Sequence, residues 1–185
     1  MNENTPQQQA RWSARQLATM ALFAAMGALL AQLQLPIFPL AASIGITYDP
    51  SNVPAMIGGL AFGPGAGLII GILSAVVRAL MSGDVVGMCM NIVAVVGFVA
   101  PASLIYKRKR TTGQLIIGLV VGVIVSVAVI IPANLIVWPQ FYHVPMDYTL
   151  SMIVPLMLPF NLMKATINAV LSFLLYKSLR SLLES

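Results

Sequence analysis

The sequence predicts an all-α membrane protein with six transmembrane helices and a lid-like loop between helices 1 and 2. Of its 185 residues, 59% are hydrophobic and only 8% are charged, a composition far from that of a soluble domain. Apolar segments recur along the chain, and basic residues cluster at their ends. We therefore expect a single integral membrane domain over residues 1–185, with a cytoplasmic tail at 1–13 and the six-helix domain at 14–182.

Six apolar segments are predicted to be helices. The length of each is compared with the ~20 residues that a helix needs to cross the hydrocarbon core. The second segment is too short to cross alone unless Gly63 and Pro64 form a tight break between two packed helices. The predicted spans are about Ala14 to Leu33, Ser51 to Phe62, Pro64 to Met81, Val86 to Tyr106, Gln114 to Val137 and Leu158 to Tyr176.

The positive charges fix the predicted orientation. They precede span one, join spans four and five, and follow span six, which are three places on the same face of a six-span protein. Basic residues are enriched on the cytoplasmic side, so we expect a multi-pass cell-membrane protein with both termini cytoplasmic. The net charge of +5 is thus explained by topology, and a nucleic-acid partner is not expected. The clusters are Arg11 and Arg15, Lys107 to Arg110, and Lys177 with Arg180.

The connection from Gln34 to Pro50 is rich in proline and aliphatic residues, whereas a solvated loop would be more polar. One interpretation is a lid that folds back over the protein. The other is an ordered loop at the membrane interface, and the residues alone do not decide between them.

Two patterns of small residues indicate close approach of helices. Gly59, Gly63, Gly67 and Gly71 recur at every fourth position across spans two and three, and we expect them to serve internal packing. Span one carries a similar alanine face, for which packing and docking of a partner protein are both open; its members are Ala21, Ala24, Ala25 and Ala28.

A polar face interrupts the last apolar span. Asn161, Lys164 and Asn168 follow one another at i, i+3 and i+7, which places them on one side of a helix. An amine is costly inside a bilayer unless it faces protein or water. Lys164 lies thirteen residues before Lys177, about 20 Å along the helix, and therefore in the outer half of the membrane.

The predicted topology brings Asn91 and Asn134 to a similar depth as Asn161 and Lys164, so the four side chains could line a cavity that opens outward. Nearby aromatic residues (Phe38, Tyr48, Trp138 and Phe160) could hold a flat apolar ring. Alternatively, the asparagines bond neighbouring helices and Lys164 extends to the interface. For Arg78, an interfacial position or an ion pair with Asp84 is the favoured interpretation.

Several chemistries lack the residues they need. The chain has no G-x-x-x-x-G-K-[ST] or H-E-x-x-H motif, and its one histidine, His143, has no second histidine with which to form a metal site. Its one cysteine, Cys89, excludes an internal disulfide. We therefore expect no enzymatic activity, no metal and no cofactor.

The chain resembles the substrate-binding S components of energy-coupling factor (ECF) vitamin transporters, and most closely the riboflavin-binding type. The resemblance runs from span one to Tyr176. Its more specific elements are the Phe62-Gly-Pro turn and the run Pro159-Phe-Asn-Leu-Met-Lys164. Further segments that carry it are Pro36-Ile-Phe-Pro, Tyr48 to Gly67, Met88 to Asn91, Pro101 to Thr111, Asn134 to Pro139 and the alanines of span one.

The resemblance implies a pocket near the outer face for riboflavin, with flavin mononucleotide also open, and assembly with a transmembrane coupling subunit and two cytoplasmic ATPases. By position, Asn134, Asn161 and Lys164 would bind the ligand, with Asn91, Thr47 and Tyr48 as further candidates. The alanines of span one, Ala21 and Ala25 with Ala24 and Ala28, would contact the coupling subunit. The alternatives are an S component for another vitamin or related compound, a small membrane enzyme acting on lipid, and a purely structural subunit.

Overall fold

The computed structural model describes residues 12–43 and 46–183, so most of the expected cytoplasmic tail at 1–13 lies outside the described residues. The described chain is almost entirely helical, which confirms the all-α prediction; its one β-type pairing is an isolated bridge between Leu35 and Tyr48. The elements are α1 (Ala14–Leu30), α2 (Pro39–Ala42), α3 (Asn52–Phe62), α4 (Pro64–Ser82), α5 (Val85–Arg108), α6 (Thr112–Phe141), α7 (Met146–Ser151), a π-helical turn (Ile153–Met157) and α8 (Leu158–Leu183).

Each of the six predicted spans corresponds to a helix. Within the described residues, four segments are long and apolar enough to cross a membrane: α4, α5, α6 and the continuous stretch Ile153–Leu183. The chain is thus a multi-pass membrane protein. With 17 and 11 residues, α1 and α3 are apolar but shorter than a full crossing, so six crossings remain a prediction. We call the end of the bundle that carries Lys107–Arg110 and Lys177 the inner end and the opposite end the outer end.

A sharp break separates α3 from α4 at the expected position. Gly63 adopts φ 98° and ψ 167°, a conformation that residues with a Cβ rarely take, and Pro64 begins the next helix. The other three glycines of the stripe serve helix packing. A Cβ on Gly67 would lie 2.6 Å from Cα of Gly59, and a Cβ on Gly71 would lie 2.4 Å from Val95. Packing therefore explains Gly59, Gly67 and Gly71, whereas Gly63 serves the turn.

Two apolar clusters fill the bundle. The larger cluster joins α1, α3, α4, α5, α6 and α8, and towards the inner end it includes Tyr106 and Tyr176, whose hydroxyls lie 3.3 Å apart. The smaller cluster lies at the outer end. There the connection between α1 and α3 contributes Ala41, which packs with Trp138 and Phe160 from α6 and α8. The connection thus rests against the outer end of the bundle.

Only two of the four alanines that the sequence predicts on the docking face of α1 are exposed. Ala21 and Ala25 are exposed, but Ala24 is 6% exposed and Ala28 is 2% exposed. The carbonyl of Ala24 accepts a hydrogen bond from Ser74 Oγ of α4 at 3.0 Å. Of the four alanines expected to face a partner, Ala24 and Ala28 therefore belong to the internal packing of α1 against its neighbours, because the helix can present only one face outward.

Candidate functional site

A cavity of about 660 Å³ lies at the outer end, between α4, α5, α6, α8 and the connection that follows α1. Three residues on helices that the sequence does not place side by side meet here: Asn91 on α5, Asn134 on α6 and Lys164 on α8. Thr47 and Asn161 also line the cavity. Five of the six side chains expected to bind a ligand are thus brought together, and Tyr48 is not among the lining residues.

Lys164 is held by an ion pair. Its Nζ donates a hydrogen bond to Oδ2 of Asp49 at 2.7 Å, and the side chains of Lys164 and Asp49 are 20% and 14% exposed. Asp49 also accepts hydrogen bonds from the backbone N–H and the hydroxyl of Ser51. The pair joins the end of the α1–α3 connection to α8 across 115 residues of sequence and lies on the cavity wall.

Two opposing effects set the pKa of Asp49. Burial of the carboxyl alone would raise its pKa, but the charge and hydrogen bond of Lys164, together with the bonds from Ser51, hold the pKa below its ordinary value. The adjacent Tyr48 shows the reverse shift: burial, reinforced by the charge of Asp49, raises its pKa to about 12. At neutral pH the Asp49 side chain is a carboxylate and Tyr48 a neutral phenol.

The sequence did not predict the pairing of Asp49, near the end of the α1–α3 connection, with Lys164. The signal that could have suggested the pair is simple: an acid at the end of an otherwise apolar connection and a lysine inside an apolar helix both need a partner. Sequence alone does not show that the connection turns back far enough for the two to meet.

The side-chain amides of Asn134 and Asn161 each donate one hydrogen bond to the protein backbone. Nδ2 of Asn134 donates to the carbonyl of Ile130 at 2.9 Å, and Nδ2 of Asn161 donates to the carbonyl of Met157 at 2.7 Å. The first bond runs one turn back along α6, and the second runs one turn back to the end of the π-helical turn that precedes α8. Each bond fixes the amide against the local backbone. Within the part of the chain that the structure describes, neither Oδ1 atom has a hydrogen-bond partner, so each can accept a bond from a ligand in the cavity.

Tyr48 and Asn168 lie behind the cavity wall. Tyr48 is 4% exposed, and its hydroxyl donates to Oδ1 of Asn168 at 2.9 Å. Asn168 is itself 1% exposed. The third member of the polar face predicted on the last helix therefore bonds the connection between α1 and α3 and not the cavity. Tyr48 supports the neighbouring Thr47 and Asp49, both of which do reach the cavity.

Apolar and aromatic side chains form much of the remaining wall. Trp138 and Phe160 are buried and line the cavity, and the ring of Phe160 lies 6.3 Å from that of Phe38 in a tilted arrangement. At the rim, Arg78 lies 3.6 Å from Asp84, as expected from the sequence. Asp84 also accepts a bond from Gly87 N–H at 2.7 Å and so caps α5.

The lining combines amides, a neutralised charge pair and aromatic rings. Such a cavity suits a small organic molecule with a flat apolar part and several hydroxyl or carbonyl groups. Within residues 12–43 and 46–183, no group of three or more His, Cys, Asp or Glu side chains is placed to hold a metal ion.

The model of the family described as the ECF transporter, substrate-specific component, matches residues 15–176. The chain is an S component of an ECF transporter. The fold of this S component resembles a solved structure described as the S component of a bacterial ECF transporter, with a TM-score of 0.77, 32% identity, and coverage of 92% of this chain and 98% of that one.

Curated relatives of this S component carry riboflavin transporter names. It is 32% identical to the riboflavin transporter RibU of Staphylococcus aureus, over 92% of this chain and 93% of the relative. It is 28% identical to the riboflavin transporter FmnP of Bacillus subtilis, over 74% of this chain and 77% of that relative. As a transporter S component, the protein is not an enzyme and needs no cofactor, and it works with a membrane ECF module.

Proposed function

We propose that this S component binds riboflavin in the cavity at its outer end. The observation that carries the proposal is the convergence of Asn91, Asn134, Asn161 and Lys164 from three helices on one cavity with an aromatic wall. The relatives named as riboflavin transporters support the same ligand. The unpartnered Oδ1 atoms of Asn134 and Asn161 would accept hydrogen bonds from the hydroxyls of the ribityl chain or the ring N–H, and Trp138 and Phe160 would flank the flat ring.

Enclosure and delivery of the ligand involve the connection between α1 and α3 and the partner subunits. The connection from Gln34 to Pro50 acts as a lid over the ligand, because it already packs against Trp138 and Phe160 and contributes Thr47 and Asp49 to the cavity. Uptake requires a transmembrane coupling subunit and two cytoplasmic ATPases. The inner end faces the cytoplasm with both termini, as the positive charges at Lys107–Arg110 and Lys177 favour.

The first test is the visible absorption spectrum of the full chain purified in detergent. We expect a yellow preparation with a flavin spectrum, or a colourless one that becomes yellow and quenches riboflavin fluorescence in a 1:1 ratio when the vitamin is added. Flavin mononucleotide, titrated in parallel, decides whether the phosphorylated form is accepted. A colourless protein that fails to bind added riboflavin would contradict the assignment and favour an S component for another vitamin.

A further inference from the structure

The cavity at the outer end carries a second pair of opposite charges at its rim. Arg78 lies near the end of α4, and Asp84 is the residue before α5. Both residues line the cavity, and their side chains are 20% and 39% exposed. The Asp49 side chain, on the wall that holds Lys164, is only 14% exposed. We call Arg78 and Asp84 the rim pair, since Asp84 is the more solvent-accessible of the two acids at the cavity.

The rim pair is loosely held. Nη2 of Arg78 and Oδ2 of Asp84 are 3.6 Å apart, whereas Lys164 Nζ lies 2.7 Å from Oδ2 of Asp49. Among the described residues, none accepts a hydrogen bond from the guanidinium group of Arg78. A guanidinium group carries five N–H donors, so Arg78 can offer several of them to a ligand. Of the two cations at the cavity, Arg78 is therefore the more available to an anion.

A tyrosine hydroxyl accompanies the rim pair. Tyr142 lines the cavity and is 56% exposed. Burial raises the pKa of Tyr142, the carboxylate of Asp84 raises it further, and the guanidinium group of Arg78 lowers it. The phenol thus lies within electrostatic reach of both members of the pair, and at neutral pH it is a neutral hydrogen-bond donor.

The distribution of charge restricts where a phosphate group could lie in this cavity. A phosphate monoester carries a charge of about −1.5 to −2 at pH 7, and burying such a charge without cations is very costly. On the wall of Lys164, the carboxylate of Asp49 already neutralises the lysine and would repel a second anion. At the rim, solvent is close and the donors of Arg78 are unused. A ligand with a terminal phosphate would therefore direct it to the rim.

We propose that the rim pair determines how the protein discriminates between riboflavin and its phosphate monoester, flavin mononucleotide; this inference rests on the riboflavin site proposed above. The guanidinium group of Arg78 contacts the phosphate, because its planar donors match two phosphate oxygens. The carboxylate of Asp84 opposes this contact by repelling the phosphate and by competing for the guanidinium group. The pair thus admits the phosphorylated vitamin but favours the neutral one.

The ratio of two dissociation constants tests this assignment. Riboflavin and flavin mononucleotide differ only in the phosphate, so the Kd of the second divided by that of the first isolates its effect. Both are titrated by fluorescence quenching into the full chain in detergent. We expect Asp84→Asn to lower this ratio about fivefold and Arg78→Gln to raise it by about the same factor. An unchanged ratio in either variant, or a shift in the opposite direction, would overturn the proposal.

The choice of substitutions limits structural side effects. Asparagine at position 84 keeps an oxygen that can accept the Gly87 N–H bond that caps α5. Asp147→Asn is the matched control, because it removes the same charge from another acid, on α7, that is exposed and does not line the cavity. Its ratio should equal that of the unmodified protein. A decrease as large as that of Asp84→Asn would show a general effect of net charge and would refute the role of the rim pair.

Riboflavin alone separates failure of this inference from failure of the proposed function. Absence of riboflavin binding to the unmodified protein would overturn both. Riboflavin binding with a ratio that neither rim variant changes would overturn only the role of the rim pair. The riboflavin Kd of each variant also reports whether its site is folded, and if one variant loses riboflavin binding, the ratio of the other decides the question.

Ionic strength gives a second readout on the unmodified protein. Because the proposed contact lies near solvent, added salt should screen it. Raising the sodium chloride concentration should therefore weaken the binding of flavin mononucleotide and leave that of riboflavin unchanged. Equal salt dependence of the two ligands would contradict a charge contact at the rim.

Discussion

Lys164 shows how a costly residue is accommodated in an apolar helix. Its ammonium group is mostly withdrawn from solvent and makes a 2.7 Å hydrogen bond to Asp49. A nearby anion with good hydrogen-bond geometry compensates for the desolvation of a partly buried cation. Because the pair lies on the cavity wall, Lys164 has N–H donors directed towards the same space as the amides of Asn134 and Asn161.

Removing single polar groups from the cavity should weaken ligand binding. We expect Lys164→Ala and Asn134→Ala each to reduce riboflavin affinity by ~1–3 kcal/mol, the cost of leaving a buried polar group of the ligand without a partner. This corresponds to about a 5- to 150-fold rise in Kd, measured by quenching of riboflavin fluorescence.

Lys177→Ala is the control for this experiment, because it removes the same charge from the same helix at its exposed inner end. Its Kd should match that of the unmodified protein. Unchanged affinity in both Lys164→Ala and Asn134→Ala would exclude the proposed site.

The pH dependence of stability should report the Asp49–Lys164 pair. The pKa of Asp49 in the folded protein lies below its unfolded value of about 3.9. The contribution of the pair is therefore fully present above that value and is lost as pH falls through the folded pKa. Asp49→Asn should lower the melting temperature by a constant amount from pH 5 to 8, and the difference from the unmodified protein should shrink below about pH 4. A difference that changes between pH 5 and 8 would assign the stabilisation to another group.

At the scale of elements, α8 connects the two ends of the bundle with a polar face. Lys164 lines the outer cavity, Asn168 accepts from Tyr48, and Tyr176 at the inner end donates to the carbonyl of Leu60 at 3.5 Å. Between them, Ser172 is fully buried, and its hydroxyl has no hydrogen-bond partner within the described residues. The buried polar face of α8 therefore bonds the α1–α3 connection through Lys164 and Asn168 and bonds α3 through Tyr176.

The contact between α3 and α4 depends on glycine. A Cβ on Gly67 would lie 2.6 Å from both Cα of Gly59 and a methyl carbon of Val99. Because backbone atoms cannot move aside, Gly67→Ala should destabilise the fold by ~1–3 kcal/mol, the usual cost of overpacking. Thermal unfolding in detergent should show a melting temperature several degrees lower.

Gly65→Ala is a close control for this change. It lies on the same helix two residues away, and its Cβ would meet only Trp12 at 3.8 Å, an ordinary contact distance. Its melting temperature should be unchanged or slightly higher. Equal effects of the two substitutions would point to helix propensity and not to the α3–α4 contact.

For the whole molecule, the exposed face of α1 is the expected contact with the coupling subunit. Ala21→Leu and Ala25→Leu should leave riboflavin binding intact, because both side chains point away from the bundle, but should reduce ATP-dependent uptake by the assembled transporter at least several-fold. Ala128→Leu is the matched control, an exposed alanine on α6. Normal uptake in both α1 variants would exclude docking at this face.

The sequence predicts the helices well but not how the connections fold. Apolar length located all six long elements, and the Gly63–Pro64 break followed from the chemistry of those two residues. The ends were less exact: α6 continues past Pro139 to Phe141, and α8 continues to Leu183. Helical spacing predicted that Asn161 and Lys164 lie at the depth of the cavity, because each residue of an α-helix adds a fixed rise along the axis. The pairings of Asp49 with Lys164 and of Tyr48 with Asn168 were missed, since they depend on how an irregular segment returns over the bundle.

The Asp49–Lys164 ion pair also affects the electrical work of moving the outer cavity through the membrane potential. A lone lysine displaced across the full membrane potential gains or loses about 2.3 kcal/mol per 100 mV. Lys164 is matched by Asp49, and Arg78 by Asp84, so the side chains that carry charge at the outer cavity sum to zero. With a neutral vitamin bound, any movement of this end of the protein through the membrane transfers no net charge from the site. If the protein delivers its ligand as proposed, we expect uptake not to depend on the voltage across the membrane.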